Sequence, residues 1–510
     1  MKYNLVGKII FNKDITPNKE KVIEFIKQAE NDILKKITDL EEINFTSEYK
    51  IENKNSIQVI ICTKKKSAHI IFYRIRKSLA EYLGKNLHIG ISSLEIKFLK
   101  IVFPLEKLPQ EDISIPFVNV IEFDKNEKTC AIELEKIDKN FITKGNVERI
   151  IKRIREKIDH SYYEGKKEYH KVLYESPKKN IKIDIDPTIE MVNRNWIAPA
   201  STKGKWIYWA PATNIFNAME KIVLEELLIP LGFNEMKNSN IVSGEEIWLK
   251  TGHLEGMPME IYYVAEPKTR NTKEWEYFID LVKITQEIPY DEFKKMVQLE
   301  PLKGLAYAQC PSIYWALKGK TITDDSFPIL LFERTTNSFR YESGGRHGIE
   351  RVDEFHRIEV VFIGEPNDLL DLQKRFMEKY KKIFNEILEI EWRMASVTPF
   401  YMQQAGDIFK EDIEEGQLGT VDYEAWLPYR GSREETEWLE FQNFSIIGEK
   451  YIKAFNLKNQ KNKLIWSGCT GIGLERWVAV FLAQHGFNIE DWPDKFKKYL
   501  DKMPKELKFF

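Results

Sequence analysis

Apolar and polar residues alternate along the first third of the chain with two different periods. A period of two marks "NLVGKIIF", "SIQVIICT", "EIKFLKIVF" and "TCAIELEKI" as strands with one buried face. A period near 3.6 marks "NKEKVIEFIKQAENDILKKI" and "AHIIFYRIRKSLAEYL" as amphipathic helices. Together they predict a small α+β domain on an antiparallel sheet. In the following "NVERIIKRIREKIDHSYYEGKKEYHKVLYE", Ile150, Ile151, Ile154 and Ile158 form one helical stripe, leaving Arg149, Lys152, Arg153, Arg155 and Lys157 toward other faces. The charged, proline-bounded "ESPKKNIKIDIDP" then reads as a linker, which divides the chain into residues 1–186 and 187–510 near Pro187.

Beyond Pro187 the tryptophans and most glycines gather, as a large core with a shaped site requires. "TNIFNAMEKIVLEELLIPLGF" predicts a helix capped by Thr213 or Asn214 that buries Ile215, Met219, Ile222, Val223 and Leu227 and stops at Pro230 and Gly232. "NEMKNSNIV" reads as a strand and "NDLLDLQKRFMEKYKKIFNEIL" as a further amphipathic helix. "GIGLERWVAVFLAQHG" opens a helix directly after a cluster of glycines.

Composition narrows the function only a little. The 510 residues exceed one core, and an apolar share of 43% is ample for globular folding. Lys+Arg at 77 nearly cancels Asp+Glu at 79, so any polyanion site must come from local clustering. The helix at Arg149, Lys152 and Arg153 is such a cluster, with Lys64, Lys65 and Lys66 upstream and Tyr162, Tyr163 and Tyr169 able to stack on bases. The competing reading is a solvated face docked on its own domain. Cys62, Cys130, Cys310 and Cys469 have no CxxC spacing and do not make a disulfide scaffold. With no apolar run near the roughly 20 residues of a membrane span and no signal-peptide pattern, a cytoplasmic protein with no membrane partner is expected.

The segment "SFRYESGGRHGIERVDEFHRIEV" carries the chemistry. Its two ends alternate as strands and its glycine-rich middle can turn, so it predicts an antiparallel hairpin with a long loop. Arg340 and Glu342 share one face, as do Phe355, Arg357 and Glu359. A surface of guanidiniums, carboxylates and one ring suits a nucleoside triphosphate. Downstream, in "LIWSGCTGIGLERWVAVFL", Gly468, Gly471 and Gly473 permit close backbone approach, and Arg476 falls in the first helical turn, within reach of a polyphosphate. The cluster lacks the Lys-Ser/Thr of a P-loop, and an antiparallel hairpin argues against a Rossmann unit.

These two segments resemble motif 2 (338–360) and motif 3 (467–480) of class II aminoacyl-tRNA synthetases, and the helix ending "IPLGFNEMKNS" resembles motif 1 (near 215–240), the dimer-forming element. Ser239 stands near the place of the usual motif 1 proline. The resemblance runs from Pro187 to the C-terminus. It implies an α+β fold: an antiparallel sheet flanked by helices, beside a separate N-terminal α+β domain that binds tRNA. Cys310, Glu359 and Cys469 are a candidate Zn2+ set with one open coordination position, the alternative being unrelated burial of two distant cysteines. They match, position by position, the zinc ligands of the methanogen-type seryl-tRNA synthetases, an atypical archaeal (type 2) branch. "DYEAWLP" and "EFQNFS" also resemble seryl enzymes, whereas a threonyl enzyme would offer Cys/His/His.

The resemblance implies a homodimer that attaches serine to tRNA(Ser), and also serves selenocysteine tRNA, through seryl-adenylate, with one Zn2+ per subunit and Mg2+ with ATP. It implies ATP contacts at Arg340, Tyr341, Glu342, Arg351, Val352, Phe355, Glu440 and Arg476, with Arg340 and Arg476 catalytic and Glu437 assisting Glu440 at Mg2+. Serine would meet Gln309, Arg340, Arg357, Ile358, Glu359, Asn443 and Ser445. The stretch 398–412 would close over it with Gln403 or Gln404, and Arg149, Lys152 and Arg153 would contact tRNA. Two other functions fit parts of the sequence: an adenylating ligase with a non-tRNA acceptor, and a non-catalytic zinc-stabilised nucleic-acid-binding protein. The first leaves the N-terminal domain without a use, and the second predicts four metal ligands where three are found.

Overall fold

The computed structural model describes residues 1–35, 45–64, 66–110, 112–135, 137–162, 170–179, 181, 183–342, 345–397 and 419–508, with 159–162 described by their backbone. The chain forms two compact units, Met1–Lys167 and Glu168–Phe510.

The first unit holds strands β1 (Lys2–Phe11), β2 (Thr46–Asn53), β3 (Ser56–Lys64), β4 (Ile91–Pro104), β5 (Val120–Asp124) and β6 (Thr129–Glu135). They make an antiparallel sheet in the order β2-β3-β1-β4-β6-β5. Helices α1 (Lys19–Leu34), α2 (Ala68–Leu87) and α3 (Asn146–Tyr162) add their apolar stripes to its core. The stripe predicted for α3 is the buried one: Ile150, Ile151, Ile154 and Ile158 join that core.

The second unit is built on one sheet of nine strands. In chain order its main elements are β7 (His170–Glu175), α4 (Ala210–Ile222), β8 (Asn234–Glu235), α5 (Cys310–Ala316), β9 (Ile329–Glu333), β10 (Asn337–Phe339), β11 (Glu354–Gly364), α6 (Pro366–Lys382), β12 (Trp392–Val397), β13 (Gly419–Ala425), β14 (Leu439–Gly448), β15 (Trp466–Gly473) and α7 (Leu474–His485). The sheet runs β8-β9-β11-β15-β14-β13-β12-β7, with β10 paired to β11, and every pairing but β8–β9 is antiparallel. Alternation on β11 decides what lies where. Ile358, Val360 and Phe362 enter a core shared with α4, α6 and α7. Val361 and Ile363 pack on the opposite face, with Cys310 and Tyr314 of α5 and Cys469 of β15.

Three details differ from the sequence reading. α4 starts at Ala210, ahead of Thr213 and Asn214, because Pro211 suits a first helical turn, where its missing N–H costs nothing. The helix then runs on through a π-type turn, Val223–Leu228, before Gly232 takes a positive φ of 87°. The stretch read as one strand, "NEMKNSNIV", splits into β8 and a separate piece at Ile241–Ser243. Between them Asn238 and Ser239 bond to nearby main chain, with Ser239 N donating to Asn238 Oδ1 at 2.8 Å and Ile241 N to Ser239 Oγ at 3.3 Å. Finally, His170–Glu175, which precedes the expected linker, belongs to the large sheet as its edge strand.

Candidate active site

β10 and β11 form the predicted hairpin, and β15 lies on the other side of β11. A cleft opens over them, lined among others by Arg340, Glu342, Val352, Phe355, Arg357, Glu440, Asn443, Gly471, Gly473 and Arg476. The glycines of β15 are explained by their neighbours. A Cβ on Gly471 would fall 1.9 Å from Arg357 Nη2, and one on Gly468 would fall 2.0 Å from the Phe362 ring. The predicted cluster therefore clears space above a strand for side chains of the strand beside it.

Charge is concentrated and mutually oriented in the cleft. Arg340 Nη2 and Nε donate to Glu342 Oε2 at 2.5 and 3.1 Å. Arg476 Nη1 donates to the Glu440 carbonyl at 2.6 Å and Nε to the Glu350 carbonyl at 3.1 Å. Burial pulls the Arg476 pKa down, and the charges of Arg340 and Arg351 push the same way while Glu440 and Glu342 oppose it. Such a guanidinium group gains from a polyanion. Arg351 itself is not among the lining residues; its main chain pairs with His347.

Beside the cleft sits the cysteine–carboxylate centre. One ligand atom each from Cys310, Glu359 and Cys469 lies within 4.8 Å of the others, and all three residues are buried. Cys310 opens α5, Glu359 lies on β11 and Cys469 on β15. Arg357 Nε forms an ion pair with Glu359 Oε2 at 2.7 Å, yet neither Glu359 oxygen has an aligned hydrogen bond. Burial pushes the Glu359 carboxyl up to about 7. The hydrogen bond with Cys469 and burial hold the Cys310 thiol well above its usual range. A metal-free centre thus prefers to be protonated, and two thiols with an orphaned carboxylate have the donor chemistry of a Zn2+ site.

Several expected residues fall elsewhere. Ile358 is buried in the large core, on the face away from Arg357 and Glu359. The Gln309 amide is held at both ends: Nε2 donates to the Thr336 carbonyl at 3.2 Å and Oε1 accepts from the Ser338 hydroxyl at 3.1 Å. Ser445 faces Cys469 across the strand pair and shares a 2.7 Å hydrogen bond with Thr420. Tyr341 is half exposed, with the Arg346 guanidinium 4.6 Å from its ring centre, and Glu437 is exposed. On α3, Arg149, Lys152 and Arg153 are exposed, whereas Arg155 donates to the Pro104 carbonyl and Lys157 to that of Ser114. Lys65, Tyr163, Tyr169 and the stretch 398–412 with Gln403 and Gln404 lie outside the described residues, as does the Tyr162 side chain.

Three buried carboxylates that hold the hairpin in place escaped the sequence reading. Asp353 accepts from Tyr262 Oη at 2.5 Å, from Arg346 Nη2 at 2.7 Å and from Glu342 N at 3.0 Å, so it staples both ends of the hairpin loop. Glu350 accepts from His347, Tyr429 and Arg430 at 2.6 to 2.8 Å, tying the loop to the turn after β13. Glu475, at the start of α7, accepts from His356 N at 2.9 Å and bonds its ring at 2.8 Å, which raises the His356 pKa.

An antiparallel sheet whose hairpin arginine, ring and carboxylates face a helix-borne arginine over a glycine-cleared strand defines a class II aminoacyl-tRNA synthetase. Residues 301–485 match the tRNA synthetase class II core domain (G, H, P, S and T), and residues 1–156 match a tRNA-binding domain. The type-2 serine--tRNA ligase of Methanococcoides burtonii is 41% identical over 100% of this chain and 99% of its own. That of Methanocaldococcus jannaschii is 30% identical over 98% and 97%. Among solved structures, M. kandleri SerRS in complex with A. aeolicus tRNASec superposes with a TM-score of 0.85 at 25% identity, covering 99% of both chains. The chain belongs to the type-2 serine--tRNA ligases, ATP-dependent enzymes that attach serine to tRNA. Neither a non-tRNA acceptor nor a non-catalytic role fits a relationship that spans both units. No helix among the described residues is long and apolar enough to cross a membrane.

Proposed function

We propose that the cleft activates serine with Arg340 at the reacting phosphate and that the Cys310–Glu359–Cys469 centre holds Zn2+. The convergence of three buried ligand groups beside the arginine cleft, joined through Arg357, carries this reading. Serine carboxylate attacks the α-phosphorus of ATP, pyrophosphate leaves, and a terminal tRNA hydroxyl then takes the seryl group and releases AMP. Arg340 offsets the repulsion between carboxylate and phosphate, while Arg351 and Arg476 offset charge on the outer phosphates. Phe355 offers its ring to adenine and Glu342 an acceptor to the adenine amine. Glu440 takes the Mg2+ that accompanies ATP. Zn2+, when bound, supplies a Lewis-acid position for the serine amino group. Arg357 on β11 and Asn443 on β14, with the glycine-cleared β15 between them, complete the serine pocket.

The first unit takes tRNA(Ser), and tRNA(Sec) as a second acceptor, a reading supported by its tRNA-binding match and by the tRNASec complex of M. kandleri SerRS. Arg149, Lys152 and Arg153 meet the phosphate backbone: their partners, Asn146 and Glu156, belong to the same helix, whereas Arg155 and Lys157 bond the main chain of other segments. Pairing through the motif 1 segment, where Ile229 and Ile241 are 61% and 53% exposed, gives a homodimer. The acceptor places the enzyme in the cytoplasm. ATP/pyrophosphate exchange across all amino acids, with metal analysis of the same sample, tests the reading. Exchange with serine alone and about one zinc per chain is expected; exchange without zinc, or with another amino acid, overturns it.

A further inference from the structure

Between β9 and β10 the chain bends through Glu333–Ser338, and this bend carries a buried polar network outside the ATP cleft. Glu333 is fully buried and stands directly opposite Glu359 in the β9–β11 pairing. An unpaired carboxylate in that position would be costly. Its oxygens are instead occupied: Oε2 accepts from Thr335 N at 3.1 Å and Thr336 N at 3.2 Å, and Oε1 accepts from the Thr336 hydroxyl. These bonds, with a longer fourth from the Thr335 hydroxyl at 3.5 Å, fix the course of the main chain at Thr335–Thr336.

That fixed segment is what Gln309 reads. The Thr336 carbonyl accepts Gln309 Nε2, the Ser338 hydroxyl donates to Gln309 Oε1, and the Gln309 carbonyl accepts Asn238 Nδ2 at 2.9 Å. Gln309 and Ser338 are both 0% exposed. Gln309 is also the residue from which α5 starts, so its three bonds set where Cys310, the first residue of that helix, stands relative to the sheet. Glu359 and Glu333 are opposite each other, and Cys310 is tied through Gln309 to the bend that Glu333 organises. The distance between thiol and carboxylate is thereby fixed from two directions.

We propose that Glu333 and Gln309 are positioning residues of the cysteine–carboxylate centre, setting its metal affinity by holding Cys310 against Glu359. The proposal rests on the reading of that centre as a zinc site. Both lie outside the residues that line the ATP cleft. Removing an outer partner of a metal ligand typically lowers affinity by about 10- to 100-fold.

The test is zinc affinity of the full chain, by competition with a chromogenic chelator, for wild type, E333Q, Q309A and the gentler S338A. The KM values for ATP and serine are measured alongside. Loss of zinc affinity by about 10- to 100-fold in E333Q and Q309A, a smaller loss in S338A, and an unchanged KM for ATP are expected. Because one network links the residues, the E333Q/Q309A double variant should lose less than the product of the single losses. Wild-type zinc affinity in any variant that folds, S338A included, overturns the proposal. So does an equal rise in the KM for ATP, which would mean general loosening. A wild-type chain that binds no zinc overturns the underlying metal assignment instead.

Discussion

Gly471→Ala isolates the link between the metal centre and the serine pocket. Gly471 does not require a left-handed conformation, so alanine costs nothing in the backbone and acts only through its methyl group. That carbon would sit 1.9 Å from Arg357 Nη2 and 2.1 Å from Cζ. Ordinary contact needs roughly 3.5 Å, so the guanidinium must retreat by about 1.5 Å. The 2.7 Å ion pair with Glu359 does not survive such a shift. Leaving a buried group without its partner costs about 1–3 kcal/mol, and a charged one lies toward the top of that range, at about 2–3 kcal/mol. At about 1.4 kcal/mol per decade, serine-dependent activation should lose roughly 30- to 150-fold in kcat/KM. ATP/pyrophosphate exchange at varied serine measures this, with circular dichroism to show that the strand persists. The mechanism also fixes a double-mutant result: in an Arg357→Ala background, Gly471→Ala should have no further effect. Wild-type kcat/KM in the single variant, or losses that multiply in the double one, would refute the reasoning.

Replacing Cys310 or Cys469 with Ser should remove bound zinc and serine activation together; a zinc-loaded, fully active variant counts against the centre. Arg340→Ala should abolish serine-dependent exchange while circular dichroism stays unchanged, and near-normal exchange would displace Arg340 from the phosphate. Neutralising Arg149, Lys152 and Arg153 should raise the KM for tRNA and flatten its salt dependence by about one log unit per lost contact, leaving exchange intact. Equal loss of both activities would make the helix structural. In metal-free protein the Glu359 carboxyl is raised from 4.5 to about 7 by burial. The folded state therefore holds a proton that the unfolded state has lost. This stabilisation is complete below pH 4.5 and disappears as pH rises toward 7, at about 1 kcal/mol per unit. Chelator-stripped protein should lose thermal stability over that range faster than Glu359→Gln does, and equal slopes would reject the assignment.

Much of this was legible because period-two alternation is a strong rule. It put Phe355, Arg357 and Glu359 on one face, and Arg357 and Phe355 line the cleft. The same rule sends the Ile358 side chain to the other side, into the large core. The buried carboxylates were invisible for the opposite reason. Asp353, Glu350 and Glu475 sit among many acidic residues, and only their partners, such as Tyr262, Arg430 and His356, distinguish a staple from a solvated charge. Gln309 shows the same limit: its neighbour Cys310 marks the centre, but the acceptor and donor that hold its amide come from the bend between β9 and β10, far along the chain. On α3 the sequence revealed which side was basic, yet not that Arg155 and Lys157 are spoken for.

The strand His170–Glu175 has a practical bearing on dissecting the enzyme. It zips along β12, Ser176 exchanges bonds with Trp392 through N to carbonyl at 2.9 Å and Oγ from N at 2.8 Å, and Arg433 reaches back to Glu175 at 2.6 Å. A truncation beginning at Pro187 would tear away this seam, leaving β12 a raw edge and Arg433 stripped of one counter-charge. A fragment begun just ahead of His170 keeps the hem of the sheet sewn, and is the one to express if the synthetic half is wanted without its tRNA-gripping companion.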